Sequence, residues 1–534
     1  MRAVAPGRDI GSASVPAQDG QSTRSRPQGR ADVALTKVLA TLGPSTDSIE
    51  VLGKLVDAGA RLFRLNFSHG KFEDHKKRLE LVRLTAYHKN LPLTVVGDLP
   101  GPKLRVCDVP EAGILLVSGQ EVIIRADVAA TTPGDRPVLK SDYAAIVTEV
   151  HAGHRVLIND GAVRMLVIEA DGEQLVCRVT AGGLVTNRKG LNLPDSDLSI
   201  PALTERDLTA VRWAVENGVD YLALSFVRTA AEIRSLRAAI EQIGIGPAHD
   251  PEAHEPWIPI IAKIETPQGV RNISDIMAVA DALMVARGDL GVELELAVVP
   301  MVQKKLIRAA HEYGKPCIVA TQMLESMIDQ PNPTRAEVSD VANAILDGAD
   351  CVMLSGETAV GKYPVLAVEV MHRVALVTEA ELRAHPQEPT PPASLRGAKH
   401  IIPALAHGAW HMARDIGAKA MVIWSQSGGG ARYLSRHSFH IPILAFSSDP
   451  SAVRRMNLLY AVFPLLWLDV PTHRSEFAKF AERVLLDEGW VDLSDPIVLL
   501  GGKPMDLPGQ TNTVAIRYAG ALSREEASRA TPES

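Results

Sequence analysis

From residue 35 onward, short apolar runs alternate with longer stretches whose apolar residues recur at helical spacing. The runs are Leu35–Leu42, Arg61–Phe67, Leu93–Leu99, Tyr221–Val227, Ile258–Ile264, Ala282–Val285, Cys317–Thr321 and Cys351–Leu354. Strands buried on both faces of a parallel sheet read this way, with helical crossovers between them. A helix is predicted behind each run, among them Ser48–Ala58, Phe72 to about Lys89, Glu205–Glu216 and about Pro364–Leu382. Eight βα units close naturally into a (β/α)8 barrel. The competing open doubly wound sheet calls for a glycine-rich dinucleotide turn after its first strand, and the chain has none there.

Between residues 101 and 198 the pattern changes. Ile114–Val117, Val122–Arg125, Arg155–Ile158, Met165–Ile168 and Leu175–Val179 are strand-like, with Asn159-Asp160-Gly161 and Asp171-Gly172 as tight-turn signals between them. This reads as a small β-barrel domain inserted after the third strand. It stands at the barrel end where active sites lie, and a module hinged there can act as a lid. Residues 384–399 hold Pro386, Pro389, Pro391 and Pro392 without apolar periodicity and read as a linker. Beyond it, runs at Ala420–Trp424, Ile443–Phe446 and Ile497–Leu500 alternate with helices. The fold class is therefore α/β: a TIM barrel, an inserted β lid and a C-terminal α/β domain. The expected division is a disordered tail over 1–32, the barrel over 33–100 and 199–384, the lid over 101–198, the C-terminal domain over 398–520 and a tail over 521–534.

Composition narrows the function classes. The chain has 534 residues, 46% hydrophobic and 22% charged, with net charge −7. That is ordinary for a globular protein, long enough for about three or four domains. It is not the charge of a general nucleic-acid binder. No apolar run approaches the ~18 residues of a membrane span, and Cys107, Cys177, Cys317 and Cys351 are too scattered for a zinc ribbon or disulfide scaffold. The first 31 residues carry five Arg against two Asp and are rich in Gly, Ser and Pro. Such a start resembles an organelle transit peptide, but it shows no amphipathic apolar face, which favours a disordered extension. With no secretory apolar segment, the cytoplasm is the expected compartment.

Polar residues collect at one end of the runs. Arg64, Asn66 and Ser68 end the second, Asp98 the third, Lys263 and Glu265 the fifth; Asp289 follows the sixth, Thr321 ends the seventh and Ser355 follows the eighth. In a barrel that end carries the chemistry. Glu265 and Asp289, on adjacent strands, suit Mg²⁺ (or Mn²⁺), which takes one or two carboxylates and fills its octahedron with substrate oxygens and water. Lys263 lies two residues before Glu265 and points the same way. An ammonium beside a metal-bound anion stabilises a transferring phosphoryl group or an enolate. Arg64 offers a planar fork for phosphate. In the glycine-rich turn Arg287–Gly291, backbone N–H groups such as that of Gly288 can approach a carboxylate. The chemistry read is Mg²⁺-assisted phosphoryl transfer or enolate chemistry.

Five stretches then carry a resemblance. Arg64–Gly70 (RLNFSHG), Ala262–Thr266 (AKIET), Met284–Glu293 (MVARGDLGVE), Ala320–Met327 (ATQMLESM) and Met353–Ala359 (MLSGETA) make the chain similar to the pyruvate kinase family from about residue 35 to 517. The resemblance implies transfer of a phosphoryl group from phosphoenolpyruvate to ADP, giving pyruvate and ATP in glycolysis. It implies Glu265 and Asp289 as metal ligands, Lys263 on the phosphoryl group and the enolate, Arg64 on the phosphoryl group, and Gly288, Asp289 and Thr321 at the substrate. Thr321 would lie beside the enolate carbon that is protonated, and Ser355 in the surrounding polar network. Asn66, His69 and Arg206 would face the nucleotide, with Arg206 where the family has Lys. A homotetramer is the implied assembly, with neither nucleic acid nor membrane among its partners.

One departure concerns the monovalent cation. Most of the family hold K⁺ with an Asn, a Ser, an Asp and the backbone after it, here Asn66, Ser68, Asp98 and Leu99. The usual Thr-Lys-Gly-Pro-Glu after that Asp is replaced by Leu99-Pro100-Gly101-Pro102-Lys103. A fixed ammonium at Lys103 can supply the charge of K⁺, so activity without K⁺ is expected. In the C-terminal domain, Ser425-Gln426-Ser427-Gly428-Gly429-Gly430 follows a strand, where the family holds a phosphorylated effector. Gly430 stands in place of a usual Ser or Thr, and His437-Ser438 in place of Arg-Pro. Gly509–Thr513 matches the family as well. Gly356–Lys362 has the spacing of a P-loop but is followed by Tyr363 rather than Ser or Thr, so it reads as a βα loop. His407 and His411 are four apart without the Glu of a zinc protease and read as packing or surface residues. A Mg²⁺-dependent lyase or aldolase acting on pyruvate or phosphoenolpyruvate, and a catalytically inactive homologue, are the alternatives. The lid and Arg206 argue against the first, the retained Lys263, Glu265 and Asp289 against the second.

Overall fold

The computed structural model describes residues 33–243, 258–385, 401–437, 439–502 and 511–521. The expectations for the two tails, and for all of the 384–399 linker but its first two residues, lie outside the described residues. Eight parallel strands close a barrel in which every strand pairs with its neighbours in chain order. They are β1 (Lys37–Thr41), β2 (Ala60–Asn66), β3 (Thr94–Leu99), β4 (Tyr221–Leu224), β5 (Ile260–Ile264), β6 (Ala282–Ala286), β7 (Cys317–Ala320) and β8 (Cys351–Leu354).

Side chains alternate across a strand, so residues two apart share a face. Leu39, Leu62, Val96, Ala223, Ile261, Met284, Ile318 and Met353 pack together as the barrel interior. One step further along the same face come Thr41, Arg64, Asp98, Ser225 and Lys263. The period of 2 that buries the interior layer thus aims these polar groups into the C-terminal mouth. Leu458, from the C-terminal domain, joins the interior cluster.

The segment after β3 forms a seven-stranded sheet and a two-stranded sheet around its own apolar core. Arg155–Ile158 and Val163–Ala170 pair as a hairpin, and Asn159, Asp160 and Gly161 all take positive φ between them. That is the turn the Asn-Asp-Gly sequence signals. Where the chain leaves the barrel, Gly101 (φ +66) donates its N–H to Asp207. Asp207 also completes a capping box with Thr204 at the start of the helix Glu205–Asn217.

The C-terminal domain is a five-stranded sheet, β9 (Ala420–Trp424), β10 (Ile443–Ser447), β11 (Val462–Leu466), β12 (Pro496–Gly502) and β13 (Thr511–Tyr518), in the order β11-β10-β9-β12-β13. The two strands missing from the apolar pattern are the edges: β11 contains Pro464, and β13 is largely exposed. The domain is keyed to the opposite end of the barrel from the polar mouth. Asp350, just before β8, is buried and accepts from Arg436 (2.8 Å to one oxygen), Cys317 N–H (2.8 Å) and Tyr460 N–H (3.1 Å). Asp220, before β4, takes Arg83 at 2.9 Å and Arg454 at 2.6 Å. No helix of the described residues is long and apolar enough to cross a membrane.

Asp350→Ala removes the counter-charge of a buried guanidinium and the acceptor of two amides. It is expected to cost about 3–5 kcal/mol, read as a lowered thermal midpoint with earlier proteolytic release of the C-terminal domain.

Candidate functional site

The mouth of the barrel holds one continuous polar network. The Asp98 carboxylate is buried at its centre. One oxygen accepts from Arg64 Nε at 2.6 Å, the other from Lys263 Nζ at 2.9 Å. Lys263 also donates to Ser225 Oγ at 2.6 Å and lies 3.2 Å from Glu265 Oε1. The Ser225 hydroxyl donates to the Leu99 carbonyl at 2.6 Å, and Arg64 donates to Thr41 Oγ1 at 3.3 Å. The other oxygen of Glu265 accepts the Phe226 N–H at 2.7 Å.

The electrostatics follow from this packing. Burial alone pushes Asp98 upward, but Arg64 and Lys263 outweigh it and hold the carboxyl below its ordinary value. For Lys263, burial pulls down, while Asp98 and Glu265 overcome it and raise the ammonium. Glu265 goes the other way: burial raises its pKa, and the charge of Asp289 adds to that against the pull of Lys263. Glu265 and Asp289 provide hard carboxylate oxygens for a divalent cation. Arg64, Lys263, Asp98, Glu265 and Asp289 together sum to −1, which a dication would reverse. The donor set therefore fits Mg²⁺ with two protein carboxylates and the remaining positions left to substrate and water. Among the described residues no group of three or more His, Cys, Asp or Glu is arranged to hold an ion.

Arg287–Gly291, read from sequence as a turn, is instead the start of a short helix, Arg287–Glu293, directly after β6. Its Gly288 N–H donates to Thr321 Oγ1 at 2.7 Å, and the Thr321 hydroxyl donates to the Ala320 carbonyl at 2.6 Å. Thr321 and Gln322 both hold positive φ, +67° and +53°. Arg287 fixes them by donating to both carbonyls, at 2.8 and 2.9 Å, while its other arm pairs with Asp340. A strained backbone of this kind persists only where neighbours over-determine it. A Cβ at Gly288 would stand 3.2 Å from Thr321 Oγ1, so glycine gives the closest approach.

Asn66 folds back to accept from Ser68 N–H at 3.1 Å, and His69 is exposed beside them. Arg206 binds this loop, donating to the carbonyls of Phe67 (2.9 Å) and Ser68 (3.1 Å). Ser355 stands apart from the network: its hydroxyl is buried without a hydrogen-bond partner, while its N–H donates to Glu357. Lys103 is exposed on the lid side, its stem against Gly190, and among the described residues it forms no hydrogen bond or ion pair. It lines a cleft with Asn192, Phe226, Asp289 and Glu293. Asn192 of the lid donates to Glu293 of the barrel at 2.7 Å across that cleft. The loop Ser425–Gly430 lies at the other end of the barrel, where Ser427, Gly428 and Gly429 face Lys315, Arg432 and Arg455 across a cavity. At Gly430 a Cβ would meet the terminal methyl of Ile423 at 2.8 Å.

Sequence reasoning missed Ser225, Phe226, the Arg287 clamp and the Asn192–Glu293 contact. Ser225 was findable, since it continues the inward face of β4 by two residues; the others depend on contacts between distant segments.

The comparisons agree with one another. A family model described as pyruvate kinase, barrel domain, matches residues 33–368, and one described as pyruvate kinase, alpha/beta domain, matches residues 403–517. A pyruvate kinase of Mycobacterium intracellulare is 38% identical over 91% of this chain and 98% of its own length. Pyruvate kinase 2 of Synechocystis is also 38% identical, over 91% of this chain and 80% of its own. The crystal structure of a pyruvate kinase from Cryptosporidium parvum superimposes with a TM-score of 0.83 at 31% identity, covering 91% of this chain and 96% of that one.

Ser225→Ala would leave the Leu99 carbonyl without its donor and Lys263 without one acceptor inside a buried network. The expected cost is about 1–3 kcal/mol, measured as a lower midpoint in heat or urea unfolding.

Proposed function

The chain belongs to the pyruvate kinase family, and on that premise we propose that its barrel mouth carries Mg²⁺-dependent phosphoryl transfer from phosphoenolpyruvate to ADP, as a step of glycolysis. The observation that carries this reading is Lys263, held between Asp98, Ser225 and Glu265 with Asp289 acting on Glu265 from the helix after the neighbouring strand. Glu265 and Asp289 hold the divalent ion, which when bound offsets the negative charge gathered by substrate and carboxylates.

The chain's own groups do the rest. Lys263 and Arg64 grip the phosphoryl group as it leaves the enol oxygen, and Lys263 stays beside the oxygen left negative. Asp98 keeps both cations in place, so they need no reorganisation as charge develops. The substrate carboxylate lies at Gly288 and Asp289, where the Asp289 N–H orients it. Thr321, oriented by the Gly288 amide and the Ala320 carbonyl, lies beside the carbon that gains a proton. Asn66, His69 and Arg206 form the nucleotide side. The lid, touching the barrel through Asn192 and Glu293, excludes water from the reacting group.

The monovalent site is proposed to work without K⁺. Asp98 already carries two cationic partners, and Lys103, which pairs with no acid among the described residues, adds a positive charge in the cleft beside Asp289. For the C-terminal loop Ser425–Gly430, the facing Lys315, Arg432 and Arg455 support a phosphorylated effector. A homotetramer acting in the cytoplasm completes the reading, on the likeness to the family.

Lys263→Met is expected to cut turnover by at least about 10²–10³-fold with ADP and phosphoenolpyruvate saturating, in a lactate-dehydrogenase-coupled assay. Pyruvate release that did not depend on ADP would favour the lyase reading instead. In Mg²⁺ and tetramethylammonium buffer the wild type should be near full rate, and Lys103→Glu should become dependent on added K⁺. Activation of the wild type by KCl of more than about tenfold would overturn the K⁺-independent assignment.

A further inference from the structure

The two histidines that the sequence leaves as packing residues do not stand alone. His407 and His411 lie four apart on the helix Ile401–Asp415, hence on one face. Their Nε2 atoms are 3.3 Å apart, with the rings nearly perpendicular at 88°. Two imidazoles on one tetrahedral Zn²⁺, each about 2.0–2.1 Å from the ion, place their nitrogens about 3.4 Å apart. Without an ion the same separation serves an N–H···N hydrogen bond between the two rings. A third imidazole, His437, packs behind the pair with its ring centre 5.6 Å from that of His407. It is 3% exposed, and its Nδ1 is buried with no hydrogen-bond partner.

We propose that His407 and His411 chelate a divalent transition-metal ion of the borderline class, such as Zn²⁺, on the C-terminal domain, with His437 as the adjoining imidazole. Imidazole nitrogens prefer such ions over Mg²⁺, whereas the barrel mouth offers only hard carboxylate oxygens. The two sites therefore sort their metals by donor chemistry. The chelate as it stands has two protein ligands, and water fills the remaining positions. His437 comes two residues after the helix Gly429–Ser435, which opens on the glycine-rich loop. An ion on the pair, drawing in His437, ties the helix Ile401–Asp415 to the segment that carries that loop. This inference concerns the C-terminal domain and stands whether or not the catalytic assignment above holds.

The test is calorimetric titration of ZnCl₂ into the tag-free, chelator-treated full chain in saturating Mg²⁺. One ion per chain is expected, with affinity at least about tenfold weaker in His407→Ala and in His411→Ala, and a smaller loss in His437→Ala. Loading with Co²⁺ should give the visible absorption of a nitrogen-ligated ion in the wild type and lose it in both helix variants. Turnover without Zn²⁺ should be unchanged by His411→Ala. Metal-free unfolding midpoints check each variant's fold, and His411→Gln, at a half-buried position, replaces any alanine variant that fails. No Zn²⁺ uptake by the wild type, or equal uptake by well-folded variants of either helix histidine, overturns the proposal.

Discussion

A single buried carboxylate holds the mouth of the barrel together. Asp98 sits between the guanidinium of Arg64 and the ammonium of Lys263, and neither cation could be left dry without it. The attraction is strong because water is excluded, and Thr41, Ser225 and Glu265 take further N–H groups of the two cations. Positive charge is thus fixed in space before any anionic ligand arrives. Glu265 shows the opposite balance. It lies beside one cation, but burial and Asp289 raise its pKa, so the rim gains most from a second, mobile positive charge.

The two ends of the barrel divide the work. At the C-terminal end, polar groups from β1, β2, β3 and β5, with Ser225 just past β4, face each other across the mouth. At the other end, Asp350 and Asp220 join the barrel to the C-terminal domain, and Leu458 fills the interior from below. At the chemical end, Thr321 and Gln322 hold left-handed backbone under the grip of Arg287. That grip leaves the Thr321 hydroxyl oriented by the amide of Gly288 on the next strand's helix. The lid adds a further layer. It enters through Gly101, tied to Asp207, and meets the barrel again through Asn192 and Glu293. Burial, eased only in part by Asn192, raises Glu293 to about 7, so this contact between lid and barrel is made by a group close to neutrality.

What the sequence by itself determined about this protein rests on period and order. Apolar runs with helical stretches between them specify parallel strands with crossovers, and a period of 2 decides which residues of a run point inward. Arg64, Asp98 and Lys263 could therefore be assigned to one end of one cavity, because local chain geometry and strand order suffice to put them there. The same signal is weak where a strand is an edge, as for β11 with its proline and the exposed β13. It is silent where the turn after β6 winds into a helix, because its backbone is held by contacts to β7. Tertiary structure alone decided the partners: Ser225 between Lys263 and Leu99, Arg287 across to Thr321 and Asp340, Asn192 across to Glu293, and His437 behind His407 and His411. Each of those contacts depends on distances between segments far apart in the chain. Such distances are set by packing the whole core, which no local pattern of residues encodes.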